Sequence, residues 1–224
     1  MKTKLNRWQA FGIHLAISIA IFLILLAVII FYWYPGIFIN AGGWQGIKIV
    51  AGIDIILGPM LTLIVFNPIK KELSRDLTII AVLQFSSLSV GTWLISQERP
   101  LLQVMAEKSM YIITHADLKL FDIDPAFADK IPGPYPKAVF LELPEDSAQI
   151  SKLEFNSAYI DELPLVYRHD LYRPLTKKSA DQLKWRLGKL NYNEQLQCWE
   201  IPVISNHFRG NSCASLKLGL VSLN

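Results

Sequence analysis

The sequence has few of the residues on which metal sites and redox centres depend. Its 224 residues include only two cysteines and four histidines. None of them stands at the spacing of a zinc knuckle or a C-x-x-C redox pair. Nucleophile elbows, glycine-rich phosphate loops and the Ser/Lys pair of a signal peptidase setting are also missing. These absences argue against the common hydrolase, nucleotide-dependent and metalloenzyme classes. We therefore predict a protein that is not an enzyme and that needs neither a cofactor nor a metal.

Charged residues are nearly absent from three long stretches of the chain. Residues 11–34 contain one ionisable side chain, His14; residues 49–66 contain Asp54; residues 77–95 contain none. A helix of about 20 apolar residues crosses the hydrocarbon core of a bilayer. The pattern predicts three transmembrane helices, at about 11–34, 47–66 and 77–95. The first stretch exceeds the apolar region of a cleaved signal peptide, which favours a retained anchor.

Positive charge is unevenly distributed. Residues 1–96 hold seven Lys/Arg and three Asp/Glu, a net charge of +4, whereas residues 97–224 hold fifteen and sixteen, a net charge of −1. No basic stripe with interleaved aromatics occurs, so nucleic acid is not an expected partner. The basic residues instead flank the apolar stretches, at Lys2, Lys4 and Arg7 and at Lys70, Lys71 and Arg75. The positive-inside rule then predicts a cytoplasmic N-terminus and an exported C-terminal domain, residues 97–224.

The second half of the chain has the mixed composition of a soluble domain. Short β-branched and aromatic runs predict strands at 110–114, 138–143, 198–205 and 216–223, and residues 180–190 predict a helix. The expected fold is three transmembrane helices followed by a periplasmic α+β domain. Two cysteines alone do not distinguish a disulfide from two thiols. The oxidising periplasm favours a Cys198–Cys213 disulfide, which would stabilise the domain by about 3 kcal/mol.

Asp54 is the residue of the membrane half that most requires an explanation, because a carboxylate at that depth normally faces protein or water. Small or polar residues recur with it at three- and four-residue steps: Ala51, Asp54, Gly58 and Thr62. Such a face lets helix backbones approach closely. It would either receive a transmembrane helix of a partner protein or pack the protein's own helices, with Asp54 bonded to serines at positions 86, 87 or 89. His14 is expected to be an interfacial or packing histidine, and since it lies near the cytoplasmic side of the first helix it is a poor partner for Asp54.

Candidate acid–base residues in the second half are few. His115, His169 and His207 are isolated from one another, and Arg168-His169-Asp170 is the one place where a histidine and a carboxylate are close in sequence. Neighbouring side chains usually point apart. We therefore expect a surface cluster there and no catalytic site.

The membrane half resembles the TfpX/TfpZ family of type IV pilin accessory proteins, which are related to FimB. The similarity lies in a set of short blocks: Arg7-Trp8-Gln9-Ala10-Phe11-Gly12-Ile13-His14-Leu15, Trp33-Tyr34-Pro35-Gly36, Gly42-Gly43-Trp44-Gln45-Gly46, Val50-Ala51-Gly52-Ile53-Asp54, Leu57-Gly58-Pro59, Asn67-Pro68, Gly91-Thr92-Trp93 and Arg99-Pro100. The resemblance implies an inner-membrane protein that binds or chaperones the major type IV pilin before or during assembly. It implies no catalytic residue.

Three functional hypotheses follow. The first is a non-enzymatic pilin accessory protein whose partners are the major pilin, the lipid bilayer and, as further candidates, other pilus assembly proteins. The second is a membrane-anchored periplasmic sensor that signals through a partner protein, since its own cytoplasmic segments are too short for an output domain. The third, an enzyme of envelope or pilin modification such as a glycosyltransferase, lacks any supporting motif.

Overall fold

A computed structural model describes residues 5–106, 109–144, 146–159, 163–174, 192–195, 198–215 and 219–221. The chain divides into two compact units, Met1–Gln97 and Glu98–Asn224. We call the first the helical unit and the second the C-terminal unit. Each is described separately.

The helical unit contains three helices that are long and apolar enough to cross a membrane: Arg7–Trp33, Gly43–Val65 and Leu73–Gln97. We call them the first, second and third long helices. They confirm the three predicted apolar helices, and each begins about four residues earlier than the sequence indicated. Their segments are α1 (Arg7–Val28) with a π-helical end (Ile29–Trp33), then α2 (Gly43–Ala51), a π-helical segment (Gly52–Leu57) and α3 (Gly58–Val65), and finally α4 (Leu73–Gln97).

The first long helix begins at Arg7 because Asn6 caps it. The Asn6 side chain accepts a hydrogen bond from the Gln9 backbone at 2.8 Å, and the Gln9 side chain accepts one from the Asn6 backbone at 2.9 Å. This reciprocal capping box satisfies two of the free N–H groups at the helix start. Gln9 belongs to the first of the short blocks that resemble the TfpX/TfpZ family. It therefore has a local structural role at the start of the helix.

The segment between the first two predicted helices, residues 35–46, is largely helical. A 3₁₀ helix (Gly36–Ala41) leads into α2 at Gly43. Glycines are poor helix formers, which is why the sequence suggested a loop. At these two positions the packing requires glycine, because there is no room for a side chain. A Cβ at Gly43 would lie 3.2 Å from the Tyr34 ring, and one at Gly46 would overlap Ile95.

Tyr34 ties the end of the first long helix to the end of the third. Its side chain is fully buried, and its hydroxyl donates to the Ile95 carbonyl at 3.0 Å. Gly46 and Tyr34 thus both contact Ile95. The Trp-Tyr-Pro-Gly and Gly-Gly-Trp-Gln-Gly blocks therefore build one packed corner of the helical unit.

The C-terminal unit is built on one mixed sheet. Its strands are β1 (Pro100–Ala106), β2 (Ser109–Thr114), β3 (Lys137–Leu141), β4 (Tyr172–Pro174), β5 (Tyr192–Asn193), β6 (Cys198–Ile204), β7 (Arg209–Ser215) and β8 (Gly219–Val221). Neighbouring strands are hydrogen-bonded in the order β4-β3-β1-β2-β6-β7-β8, and β5 pairs with β6. Pairing is parallel between β1 and β3 and between β2 and β6, and antiparallel elsewhere.

Helices cover part of this sheet, which makes the unit α+β as predicted. They are α5 (His115–Leu120), opened by a capping box between Thr114 and Asp117, and α6 (Ser147–Tyr159). The hydrophobic core lies between the sheet and the connecting segments and contains Leu101, Leu102, Val104, Ile113, Leu118, Ile123, Ala128, Val139, Leu141, Leu143 and Tyr172.

Three of the four predicted strands correspond to β2, β3 and β6, and the fourth falls partly on β8. Residues 180–190, the predicted helix, lie outside the described part of the chain, as do 216–218 and 222–224. The sequence did not indicate β1 or α6. Strand β1 is almost entirely buried, so it lacks the alternation that marks a half-exposed strand.

The predicted disulfide is present. It joins Cys198 on β6 to Cys213 on β7, with the two Cα atoms 5.4 Å apart, a usual separation for a disulfide. The two strands are already paired in antiparallel register. The bond therefore closes a hairpin that places β6 beside β2 in the middle of the sheet.

Candidate functional site

The candidate site of the helical unit starts from an irregularity in the second long helix. In the π-helical segment the Gly58 N–H bonds to the Ile53 carbonyl, five residues back. The next nitrogen along the chain belongs to Pro59, which has no hydrogen to donate. The Asp54 carbonyl is therefore left without a backbone donor in this register, and it needs a partner from another helix.

Gln84 of the third long helix supplies that partner. Its Nε2 donates to the Asp54 carbonyl at 3.2 Å and to Ser18 Oγ on the first long helix at 3.1 Å. Its Oε1 lies 2.7 Å from Nε2 of His14, also on the first helix. One side chain thus joins all three long helices through polar contacts.

His14 extends the network to Thr62 on the second helix. The distance between His14 Nδ1 and Thr62 Oγ1 is 2.5 Å, and the same hydroxyl lies 3.3 Å from the Gly58 carbonyl. Gly58 has no side chain because the Gln84 amide occupies that space: a Cβ there would lie 2.5 Å from Gln84 Oε1. We refer to His14, Ser18, Asp54, Thr62 and Gln84 as the polar cluster.

The residues of the predicted small face have the following positions. Asp54, Gly58 and Thr62 are buried among the chain's own helices, and Ala51 is half-buried. Gly58 contacts the third long helix and Thr62 the first. Docking of a foreign helix on this face stays a prediction.

One part of the intramolecular alternative is wrong. Asp54 does not bond to serines 86, 87 or 89: both of its carboxylate oxygens are buried without a hydrogen-bond partner among the described residues. Ser86 and Ser89 are exposed on the third helix, and Ser87 is half-buried. These serines were predicted to lie at the depth of Asp54, but their positions around the axis of the third helix direct them away from it.

His14 has a larger role than packing. It makes no direct hydrogen bond to Asp54, in line with the depth argument, yet Gln84 connects the two residues. The sequence reasoning missed Gln84 altogether. The available signal was that a glutamine within an apolar span needs buried partners just as an aspartate does.

The C-terminal unit has an open cavity of about 490 Å³ where β2 and β6 diverge. The two strands pair only at Met110 with Val203 and at Tyr111 with Ile204. Beyond Ile204 the chain turns, and the Ser205 N–H bonds to the Phe208 carbonyl at 2.8 Å. The resulting cleft is lined by aromatic, aliphatic and polar side chains, among them Tyr111, Ile113, Tyr167, Asn206, Phe208 and Arg209.

Asp117 fixes one wall of this cleft. Its carboxylate caps α5 and also accepts a hydrogen bond from Asn206 at 2.7 Å. Burial, together with the nearby Asp117 charge, raises the pKa of Tyr167 to about 12. The Tyr167 hydroxyl is therefore neutral at physiological pH and can form hydrogen bonds in the cleft.

The Arg168-His169-Asp170 segment forms a surface cluster, as expected. The Arg168 guanidinium donates twice to the Asp170 carboxylate, at 2.8 and 2.9 Å, and this hydrogen bonding lowers the pKa of Asp170. The His169 ring instead lies against Phe127, with centroids 5.0 Å apart. The described contacts thus pair the carboxylate with Arg168 and the histidine with Phe127. No group of three His, Cys, Asp or Glu side chains suited to a metal ion occurs within the described ranges.

Comparison with curated proteins finds fimbrial assembly proteins of Dichelobacter nodosus. The chain is 32% identical to the serogroup C1 and C2 protein over 118 residues, which is 51% of this chain and 90% of that protein. It is 32% identical to the serogroup E1 protein and 30% identical to the serogroup I protein, each over 127 residues, or 55% of this chain. It spans about half the length of these last two relatives, 49% in each case.

No family model and no solved structure matches the chain. The similarity to the serogroup C1 and C2 protein, with nine-tenths of that relative covered, is sufficient to assign the family. By that similarity this chain belongs to the family of fimbrial assembly proteins.

Proposed function

We propose that this protein is a non-enzymatic accessory protein of type IV pilus biogenesis that binds the major pilin in the bacterial inner membrane. The observation that carries the proposal is the family relationship to fimbrial assembly proteins. The three apolar helices support a membrane location. The basic residues at 2–7 and 70–75 support a cytoplasmic N-terminus and a periplasmic C-terminal unit.

In this proposal each of the two units would bind a different part of the pilin. Before assembly a type IV pilin has an apolar N-terminal helix in the membrane and a globular head outside it. The helical unit would receive the pilin helix, and the C-terminal unit would contact the head. In this proposal Ala51, Asp54, Gly58 and Thr62 form the face that accepts the pilin helix. Since three of these residues are buried, the first or third long helix would have to move aside.

The first experiment is co-purification of the tagged, detergent-solubilised protein with its pilin, alongside surface pilus counts in a deletion strain. Pilin capture together with loss of pili is the expected result. Intact pili and no captured pilin would contradict the proposal and favour the sensor hypothesis. That hypothesis has one structural observation in its favour, the cleft between β2 and β6, which is large enough for a small ligand.

The location of the contact can be tested by photo-crosslinking from single positions of the second long helix. Ala51 and Thr62 probe the proposed face. Ile56 and Ile64, which are 59% and 70% exposed, serve as matched controls on the outer surface of the same helix. Crosslinks to pilin from the first pair alone would support the face. Crosslinks from the controls alone would place the contact on the outer surface and reject it.

A further inference from the structure

The cleft between β2 and β6 contains hydrogen-bonding groups that are available to a ligand. Tyr111, Tyr167 and Arg209 are among the residues that line it. In the described part of the chain, neither tyrosine hydroxyl is hydrogen-bonded, and the exposed Arg209 guanidinium has no hydrogen-bond or ion-pair partner. Each of these groups can donate a hydrogen bond. A ligand in the cleft would therefore meet three donors that the protein has not already used.

The shape of the cleft is set by the turn that follows β6. The Ser205 N–H donates to the Phe208 carbonyl at 2.8 Å, and the Ser205 hydroxyl accepts a hydrogen bond from the Phe208 N–H at 2.9 Å. The hydrogen bond between Asn206 and Asp117 fastens this turn to α5, 89 positions away in the sequence. A site that is already ordered loses less entropy on binding than a loop that must first be ordered.

Phe208 forms an apolar wall of the cleft. A Cβ at Gly210 would lie 2.5 Å from Phe208 Cζ, so the ring lies directly against the Gly210 backbone. Together with Phe208, the aliphatic side chains of Ile113, Val166 and Ile204 line the cleft. Its volume of about 490 Å³ is within the range of sites that bind small organic molecules. The cleft therefore suits a ligand with an apolar body.

The charge around the cleft determines which class of polar group this ligand carries. Among the described residues that line the cleft, Arg209 is a permanent cation and none is acidic. The nearby Asp117 carboxylate already accepts hydrogen bonds from Thr114 at one oxygen and from Asn206 at the other. Arg209 would repel a cationic ligand, and a ligand without an acceptor would leave the three donors unused. A carboxylate can accept hydrogen bonds from all of them.

We propose that the cleft between β2 and β6 is a binding site for an apolar organic carboxylate. Its carboxylate bonds to Arg209 and the tyrosine hydroxyls, and its aliphatic or aromatic body packs against Phe208 and Ile204. This chemistry occurs in free organic acids and at the C-terminus of a peptide that ends in an apolar residue. The site belongs to the C-terminal unit and does not depend on the proposed pilin-binding face of the helical unit.

The test compares charged and neutral probes of the same shape. N-acetyl-L-phenylalanine and its amide are titrated onto the full-length protein in lipid nanodiscs, and binding is measured by saturation-transfer NMR. Empty nanodiscs correct for partition into lipid. We expect the acid to bind about tenfold or more tightly than the amide, because it gains charge-assisted hydrogen bonds. A tetrapeptide that ends in phenylalanine, with a free or an amidated C-terminus, forms the second pair of probes.

Two variants locate the charge that recognises the acid. Arg209→Gln should abolish the preference for the acid over the amide. Arg173→Gln is the matched control, since it removes the same charge from β4, where Arg173 pairs with Glu142 at 2.7 Å outside the cleft lining. This variant should keep the wild-type preference. Circular dichroism verifies that both variants fold.

The outcomes decide both the class of ligand and its source. Equal affinity of the wild type for acid and amide would overturn the proposal. Absence of saturable binding for all four probes would also overturn it, and so would a preference that survives in Arg209→Gln. If the free-acid tetrapeptide binds with the expected preference, the site accepts the C-terminus of a peptide. If only N-acetyl-L-phenylalanine does, the site takes free organic acids.

Discussion

At the scale of single residues, Gln84 makes three polar contacts that span the helical unit. It joins His14, Ser18 and the Asp54 carbonyl, and so one side chain connects three helices. Gln84→Met keeps the length of the side chain but removes these hydrogen bonds. We expect the free energy of unfolding in detergent to fall by about 1–2 kcal/mol, because buried polar groups lose their partners. Thermal or SDS-induced unfolding of the full chain measures the effect.

The control for Gln84 comes from the same helix. Ser86→Ala and Ser89→Ala remove hydroxyls on its exposed side and should leave the unfolding midpoint unchanged. A serine variant as destabilised as Gln84→Met would show that the polar cluster is wrongly assigned. It would also restore the earlier expectation that these serines stabilise Asp54.

A second residue-scale prediction concerns His115 of the C-terminal unit. Burial, assisted by the nearby Lys119 and Arg99 charges, lowers the pKa of His115. Protonation therefore favours the unfolded chain, and stability should decrease as the pH falls from about 6.5 through the lowered pKa. In His115→Gln the unfolding midpoint should depend less on pH in that window. Equal slopes for wild type and His115→Gln would contradict the assignment.

At the scale of elements, the apolar helices could be predicted because their signal is local: twenty residues without charge have few alternatives in a membrane protein. The residues at which these helices begin could not be predicted. Gly43 and Gly46 read as loop residues by propensity, and only contacts with Tyr34 and Ile95, distant in sequence, show why glycine is required there. The polar cluster was missed for the same reason. Composition assigns Asp54 and Gln84 to predicted transmembrane helices. Which polar groups come into contact depends on how each helix is rotated about its axis, and composition does not determine that rotation.

Gly46 packs against Ile95 in the corner that Tyr34 also helps to build, and this packing leads to a prediction. Gly46→Ala would force a methyl group into the buried Ile95 side chain, and overpacking of this kind costs about 1–3 kcal/mol. Gly12→Ala is the matched control, since nothing lies within 4 Å of a Cβ at that position of the first helix. There alanine should be neutral or stabilising by up to about 1 kcal/mol. Equal effects of the two substitutions on the unfolding midpoint would show that the corner is not tightly packed.

At the scale of the whole molecule, the orientation in the membrane is the prediction on which the roles of both units depend. A C-terminal unit in the periplasm would form the Cys198–Cys213 bond through the oxidising machinery of that compartment, whereas a cytoplasmic unit would keep two thiols. Alkylation with a large maleimide in intact cells distinguishes the cases. We expect no mass shift without reductant, and a shift of two adducts after denaturation and reduction.

The consequence of losing the bond follows from the topology. Strand β6 pairs with β2, β5 and β7, so the Cys198–Cys213 hairpin connects the β7–β8 edge to the rest of the sheet. Cys198→Ser with Cys213→Ser should lower the stability of the C-terminal unit by about 3 kcal/mol, because the reduced chain gains the entropy of an open 15-residue loop. The helical unit contains no cysteine and should keep its unfolding midpoint. Spontaneous labelling of both cysteines in the wild type, or an unaltered midpoint of the C-terminal unit in the double variant, would contradict a periplasmic, disulfide-stabilised unit.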